Sequence, residues 1–300
     1  MTSFVHCQTM KAMADKYSLN LPSSVGSIKS TSDKVVILTG STGVFGSMLL
    51  ADLILDSTVT RIYALNRAHK KHSLDTRQRA AFREKGLDPN LLDSEKVKLL
   101  VADLLKSDDF GLPSKDFHEM KALVTHVVHN AWPVVLTSPL SSFEASLVGM
   151  QNLLGLCMTS GALLSFIGTG FAFFNADPGE KFLERSIPAH FALGSGYAES
   201  KWIAEQMTTK AREIGLRTHI IRVGQLCGLK ANGAWGKQEW FPAIIQGSEL
   251  LGCIPITDGV GGLFALHYFY LCLIPPLLLA CDLDAPRGCL PSYPGIPRYR

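Results

Sequence analysis

No two cysteines in this sequence form a C-x-x-C pair. The seven present (Cys7, Cys157, Cys227, Cys253, Cys272, Cys281 and Cys289) are odd in number and widely scattered. That argues against a disulfide framework and against a zinc site, so no metal is expected and a reducing cytoplasm is the expected setting. Long basic runs and aromatic-basic interleaving are also missing, and the net charge is only +3. Nothing in the composition points to nucleic acid. The segment from Met1 to Lys34 lacks the continuous apolar core of roughly 7–15 residues that a signal peptide needs. No repeat recurs at a solenoid period. Apolar residues, by contrast, are plentiful: 47% of the 300 residues are hydrophobic and 18% charged, which suits a sizeable core and excludes disorder for most of the chain.

Those apolar residues fall into alternating strand-like and helical patterns. Strand-like runs lie at Val35–Thr39, Arg61–Leu65, Val97–Val101, Val124–His129, Leu163–Ile167 and Thr218–Val223. Helical periods lie between them at Phe45–Leu55, Thr76–Lys85, Leu147–Thr159 and Tyr197–Ile214. This order predicts an α/β fold with a doubly wound parallel sheet over residues 34–229. Residues 1–33 read as a short amphipathic helix, Met10 to Tyr17, followed by a Ser/Gly/Lys linker. After Gly228 the sequence turns rich in Gly, Trp and Pro, the expected start of a substrate-covering lobe over residues 230–258. The tail, 259–300, is hydrophobic and then proline-rich. Its stretch 263–281 has about the length of a membrane span, but Pro275 and Pro276 break the helix a span requires, so an anchor is the less favoured reading.

The first strand runs into Thr39-Gly40-Ser41-Thr42-Gly43-Val44-Phe45-Gly46. A strand, a glycine-spaced turn and a helix N-terminus make a pyrophosphate-binding arrangement. Gly40 takes the turn, Gly43 lets backbone N–H groups approach the anion, and Gly46 lets the helix pack closely. Thr39, Thr42, Val44 and Phe45 complete the candidate contacts of this turn. The spacing is G-x-x-G-x-x-G, and by itself a purely structural turn would also fit. About twenty residues on, where a dinucleotide fold places its ribose discriminator, no carboxylate stands. Arg67 is there instead, with Lys70, Lys71 and Arg77 nearby. A guanidinium suits a 2′-phosphate, which favours NADP(H) over NAD(H). Asp103, after the third strand, is placed to meet adenine or to cap its own turn. Asn130, after the fourth, is placed to line the cofactor, whereas His129 reads as a packed or edge histidine.

Tyr197 and Lys201 stand four apart, on one face of a helix. The phenol suits a general acid, and a nearby ammonium would lower its pKa; Lys201 could also hold the cofactor ribose. Thr169, just past the fifth strand between Gly168 and Gly170, could hydrogen-bond a reacting carbonyl beside Tyr197. Each of these has a bland reading alone, as a turn threonine or a chance helical spacing.

Taken together, the segments Leu38–Gly43, Tyr63–Arg67, His129–Pro133, Leu140–Glu144, Gly196–Trp202 and Arg222–Gln225 give the chain a clear resemblance. It resembles the extended short-chain dehydrogenase/reductases, and in detail the thioester reductase domains of fungal adenylate-forming reductases and nonribosomal-peptide-synthetase-like enzymes, relatives of the carboxylic acid reductases. The resemblance covers about Tyr17 to Pro255. It implies a Rossmann-like fold and NADPH-dependent reduction of an acyl thioester, carried on a phosphopantetheinyl carrier protein, to an aldehyde or alcohol. It makes Thr169, Tyr197 and Lys201 the catalytic set and Gly40, Gly43, Gly46 and Arg67 the cofactor set. Two features depart from the pattern: Gly168-Thr169 replaces a Ser-Ser or Ser-Thr pair, and residues 259–300 do not look like the family's continuation. A truncated C-terminal substrate lobe is therefore expected. Two alternatives stay open: an extended reductase or epimerase acting on a free small molecule, and an NADP-binding remnant without turnover.

Overall fold

The computed structural model describes residues 2–29, 32–177, 184–228, 233–236 and 239–252. The tail 259–300, with its apolar stretch 263–281, lies outside the described residues, as do residues 253–258 of the expected lobe.

Six strands form one sheet: β1 Lys34–Thr39, β2 Val59–Asn66, β3 Val97–Val101, β4 His126–His129, β5 Leu163–Thr169 and β6 Thr218–Val223. Their order is β3-β2-β1-β4-β5-β6 and every pairing is parallel. Parallel strands need crossovers, and helices supply them. These are α2 Val44–Leu55, α3 Leu74–Glu84, α4 Ser114–Leu123, α5 Glu144–Ser160 and α6 Gly196–Glu213; α1 Thr2–Ser18 precedes the sheet and α7 Trp240–Leu251 follows it. With helices on both faces the strands are apolar on both, and successive side chains go to opposite cores. Val36, Leu38, Val128 and Ile167 pack with α2 residues Leu50 and Ile54 and with Phe82 of α3. Ile37, Val127, Leu164 and Phe166 pack on the other face with Met150 of α5 and Met207 of α6.

The sequence reading finds all six strands and misses α7 and, between β3 and β4, α4. That helix buries only Phe117 and Met120, while Leu123 is 46% exposed, so its apolar stripe is too thin to stand out from its charged residues. The N-terminal helix begins at Thr2, earlier than Met10. Its Met10, Ala14 and Tyr17, spaced along one face, are buried in the same core as the sheet. Polar contacts hold it there: Lys16 to Glu144 at 3.1 Å, His6 to Glu199 at 3.0 Å, and pairs between Tyr17 and Glu144 and between Asp15 and Lys210. The stretch read as a linker is also tied down, through Gly26 N–H to the Met158 carbonyl at 2.7 Å and Lys29 Nζ to the Val124 carbonyl at 2.8 Å.

The chain crosses from one side of the sheet to the other between β1 and β4. A crevice therefore opens beyond their carboxyl ends, where Thr39 pairs in register with Leu65 and His129.

Candidate active site at the carboxyl edge of the sheet

A cleft of about 860 Å³ lies at that crevice. Thr39, Gly40, Thr42, Gly43, Val44, Phe45, Arg67, Arg77, Asp103, Asn130, Thr169, Tyr197 and Lys201 all line it. Of the candidates named from sequence, Gly46, Lys70 and Lys71 lie outside its lining: the two lysines are exposed, and the role of Gly46 is packing. A β-carbon on Gly46 would lie 2.0 Å from the Gly40 carbonyl oxygen and 2.8 Å from Asn130 Nδ2. Gly40 itself has φ +72°, and a β-carbon there would meet the Ala131 backbone at 2.8 Å. The turn is thus packed tightly against the backbone that follows β4, and α2, with Gly43 at its N-cap, has no side-chain cap and no acidic residue in its first turn. Its first N–H groups are available to an anion.

Thr39 and Asn130 act on the protein itself. The Thr39 hydroxyl accepts from the backbone N–H of Asn130 at 3.1 Å and of Ala131 at 3.0 Å, and contacts His129 Nδ1 at 2.8 Å. Two accepted bonds fill its lone pairs, so its proton goes to His129 Nδ1 and the histidine is the Nε2–H tautomer. Burial, and then the Lys201 charge, pull the His129 pKa down to about 3, so the ring is neutral. Asn130 Nδ2 donates to the Gly40 carbonyl at 3.2 Å. Asp103 Oδ1 accepts from the Leu105 N–H at 3.1 Å, the capping alternative, while still facing the cleft.

The positive end of the cleft is built by Arg67 and Arg77. Arg77 Nη2 donates to the Arg67 carbonyl at 2.6 Å, and Arg77 Nε is buried with no partner among the described residues. An unmet guanidinium donor lining the cleft fits a phosphate.

At the other end, the Thr169 hydroxyl stands beside the Tyr197 phenol, and both residues line the cleft. Thr169 Oγ1 also accepts from the Phe171 N–H at 3.2 Å, which orients the hydroxyl despite the glycines on either side. Burial raises the Tyr197 pKa, with the nearby Thr169 hydroxyl opposing it. This differs from the sequence expectation of a phenol acidified by Lys201. The physical reason is that the lysine is turned elsewhere: its Nζ donates to the Ile167 carbonyl at 2.6 Å and lies 6.0 Å from the Tyr197 ring centroid. The ammonium sits instead over Trp132 and Phe166, at 4.6 and 4.8 Å from their centroids. Full burial lowers its pKa to about 7, with Glu205 opposing.

Residues the sequence reading passed over support this core. Trp132 Nε1 donates to Ser200 Oγ at 3.1 Å, and Glu205, one turn beyond Lys201, is gripped by Arg222 Nε and Nη2 at 2.7–3.1 Å. The oxygen Glu205 Oε1 would lie 3.0 Å from a β-carbon at position 168, so Gly168 leaves room for this buried pair. The four-residue step from Lys201 to Glu205 was the available signal.

A family profile described as male sterility protein, an NAD-binding type, matches residues 38–261. Adenylate-forming reductase Nps10 of Heterobasidion annosum is 38% identical over 258 residues, which are 84% of this chain and 24% of that protein. A carboxylic acid reductase of Neurospora crassa is 31% identical over 279 residues, 90% of this chain and 26% of its own length. The chain thus spans about a quarter of these curated relatives. Among solved structures, the terminal R domain of the myxalamid PKS-NRPS biosynthetic pathway superposes with a TM-score of 0.69 at 24% identity, covering 84% of this chain and 64% of that one. That likeness confirms the doubly wound fold. The chain therefore belongs to the NAD(P)-binding male sterility family, among relatives that are adenylate-forming and carboxylic acid reductases.

Proposed function

We propose that this chain is an NADPH-dependent reductase that converts an acyl thioester, delivered on a phosphopantetheinyl carrier, to an aldehyde or alcohol. The observation that carries this reading is the convergence of Thr169, Tyr197 and Lys201 on the same cleft as the glycine turn and Arg67. Its relatives' names point the same way, and a thiolation-reductase di-domain is among the structures it resembles in fold.

In this reading Gly40, Thr42, Gly43 and the first turn of α2 hold the pyrophosphate. Arg67 and Arg77 select a 2′-phosphate, and Asp103 faces the adenosine side. Bound NADPH supplies the hydride. Tyr197 then serves as proton donor to the carbonyl oxygen, and a pKa above the usual phenol value keeps that proton in place at neutral pH. Thr169 donates a second hydrogen bond to the same oxygen. Lys201, which lines the same cleft, would hold the cofactor ribose. Reduction of the carbonyl leaves a hemithioacetal, which breaks its C–S bond, releasing thiol and aldehyde. Residues 34–229 form the cofactor unit and 230–258 begin the cover over the acyl group. Among the described residues Cys7 and Cys157 are free thiols, which suits a reducing cytoplasm.

The test is oxidation of NADPH by the purified full chain with acyl-coenzyme A or N-acetylcysteamine thioesters, beside free aldehydes and ketones. Turnover of thioesters supports the proposal; turnover of free carbonyl compounds alone favours a small-molecule reductase.

A further inference from the structure

Beneath the glycine turn lies a closed polar lattice. Ser41 and Gln78 are fully buried and Asn66 is 6% exposed. The single proton of Ser41 Oγ goes to Gln78 Oε1 at 2.7 Å, and the same oxygen accepts from Asn66 Nδ2 at 2.7 Å. Gln78 Nε2 returns to the Ser41 carbonyl at 2.9 Å. Asn66 Oδ1 accepts from Thr42 Oγ1 at 3.3 Å and from the Thr42 N–H at 3.4 Å. The amide orientations follow from these partners, because flipping Gln78 would set its oxygen against the Ser41 carbonyl.

Each amide has an arginine beside it in the chain. Asn66 precedes Arg67 at the end of β2, and Gln78 follows Arg77 on α3. The amides point inward to the turn, and both arginines line the cleft. The bond from Arg77 Nη2 to the Arg67 carbonyl joins the two dipeptides. One rigid unit therefore holds the backbone of the pyrophosphate turn and carries the guanidinium groups. Losing the Gln78 bonds would leave a buried hydroxyl and carbonyl of Ser41 short of partners, and α3 would shift to relieve them.

We propose that Gln78 is a positioning residue for cofactor choice: by pinning α3 to Ser41 it sets the reach from the glycine turn to Arg77. This rests on the NADP reading above. Gln78→Met keeps chain length and apolar packing while removing both bonds. In titrations followed by reduced-nicotinamide fluorescence, the Kd for NADPH is expected to rise about tenfold or more, the loss of ~1.4 kcal/mol. The Kd for NADH should change less, so the preference narrows. Should that variant not fold, Ser41→Ala removes the hydroxyl bonds to Gln78 and Asn66 while keeping the Gln78 bond to the backbone carbonyl, and is expected to narrow the preference in the same direction to a smaller extent. An unchanged NADPH-to-NADH ratio of Kd in the folded variant, whether or not both cofactors weaken, overturns the role of Gln78 alone. A wild-type chain with no preference for NADPH overturns the NADP reading and this inference with it.

Discussion

Lys201 reaches across from α6 to the carbonyl oxygen of Ile167, 2.6 Å away and two residues before Thr169. One side chain thus ties the helix bearing Tyr197 to the strand end bearing its hydroxyl partner. It does so as a fully buried amine between two aromatic rings, so the arrangement costs stability while serving the site.

That cost has a sign. An unfolded chain holds the Lys201 proton up to about pH 10.5, the folded one only below about 7. The folded state therefore bears the full penalty below pH 7 and recovers stability as the pH climbs through this window. Lys201→Met removes the titration. In the absence of cofactor it is expected to melt above the wild type at pH 6, by roughly 3 °C or more, with the gap closing toward pH 10. Thermal melts across this range check it, and a variant that melts lower at pH 6 would refute the account of the lysine.

Gly46→Ala sets a β-carbon against a carbonyl that belongs to the turn itself, at 2.0 Å. No flexible side-chain end can yield there. The expected result is a loss of about 1–3 kcal/mol in stability and a marked weakening of dinucleotide binding, measured by denaturant unfolding and by fluorescence titration. Gly247, inside α7, has nothing within 4 Å of an added β-carbon and φ outside the left-handed region, so Gly247→Ala serves as a control that is expected not to destabilise.

Arg67→Ala and Arg77→Met should each raise the Kd for NADPH by about 10–100-fold, the worth of one charge-assisted hydrogen bond, and leave NADH nearly unchanged. Equal weakening of both cofactors would mean that these arginines hold the fold of the loop and do not read the 2′-phosphate.

Tyr197→Phe removes the proposed acid and Thr169→Val its hydroxyl neighbour. Losses in kcat of roughly 10²–10⁴ for the first and 10–10² for the second are expected, with NADPH affinity retained. Because burial holds the phenol protonated, the rate should not fall from loss of the Tyr197 proton until the pH exceeds the usual phenol range. A falling limb near neutrality with no counterpart in Lys201 titration would contradict the assignment of the acid.

The parallel sheet was legible because its strands are apolar runs of β-branched residues broken by helical periods, and because Gly40, Arg67 and Tyr197 stand where such a sheet puts its ligand edge. Charge and spacing identify groups that face a ligand. They do not identify groups that face other protein groups. Asn66, Gln78 and Glu205 were passed over for that reason: each is polar, buried and satisfied by a partner distant in sequence. The rotamer of Lys201 was equally hidden, since the four-residue step fixes which face it shares with Tyr197 and says nothing of the Ile167 carbonyl. The N-terminal helix reads as a short piece before a linker because its buried residues, Met10, Ala14 and Tyr17, are few, and the helices it packs on, α5 and α6, lie more than a hundred residues away.

The central claim is reduction of an acyl thioester by NADPH at the Tyr197 site. Its most direct measurement follows NADPH oxidation and thiol release together, on one thioester, in wild type and Tyr197→Phe. The account expects thiol and oxidised cofactor to appear in step, one of each for aldehyde and one to two for alcohol, and both to collapse in the variant. Wild-type protein that binds NADPH yet releases thiol no faster than Tyr197→Phe would contradict it.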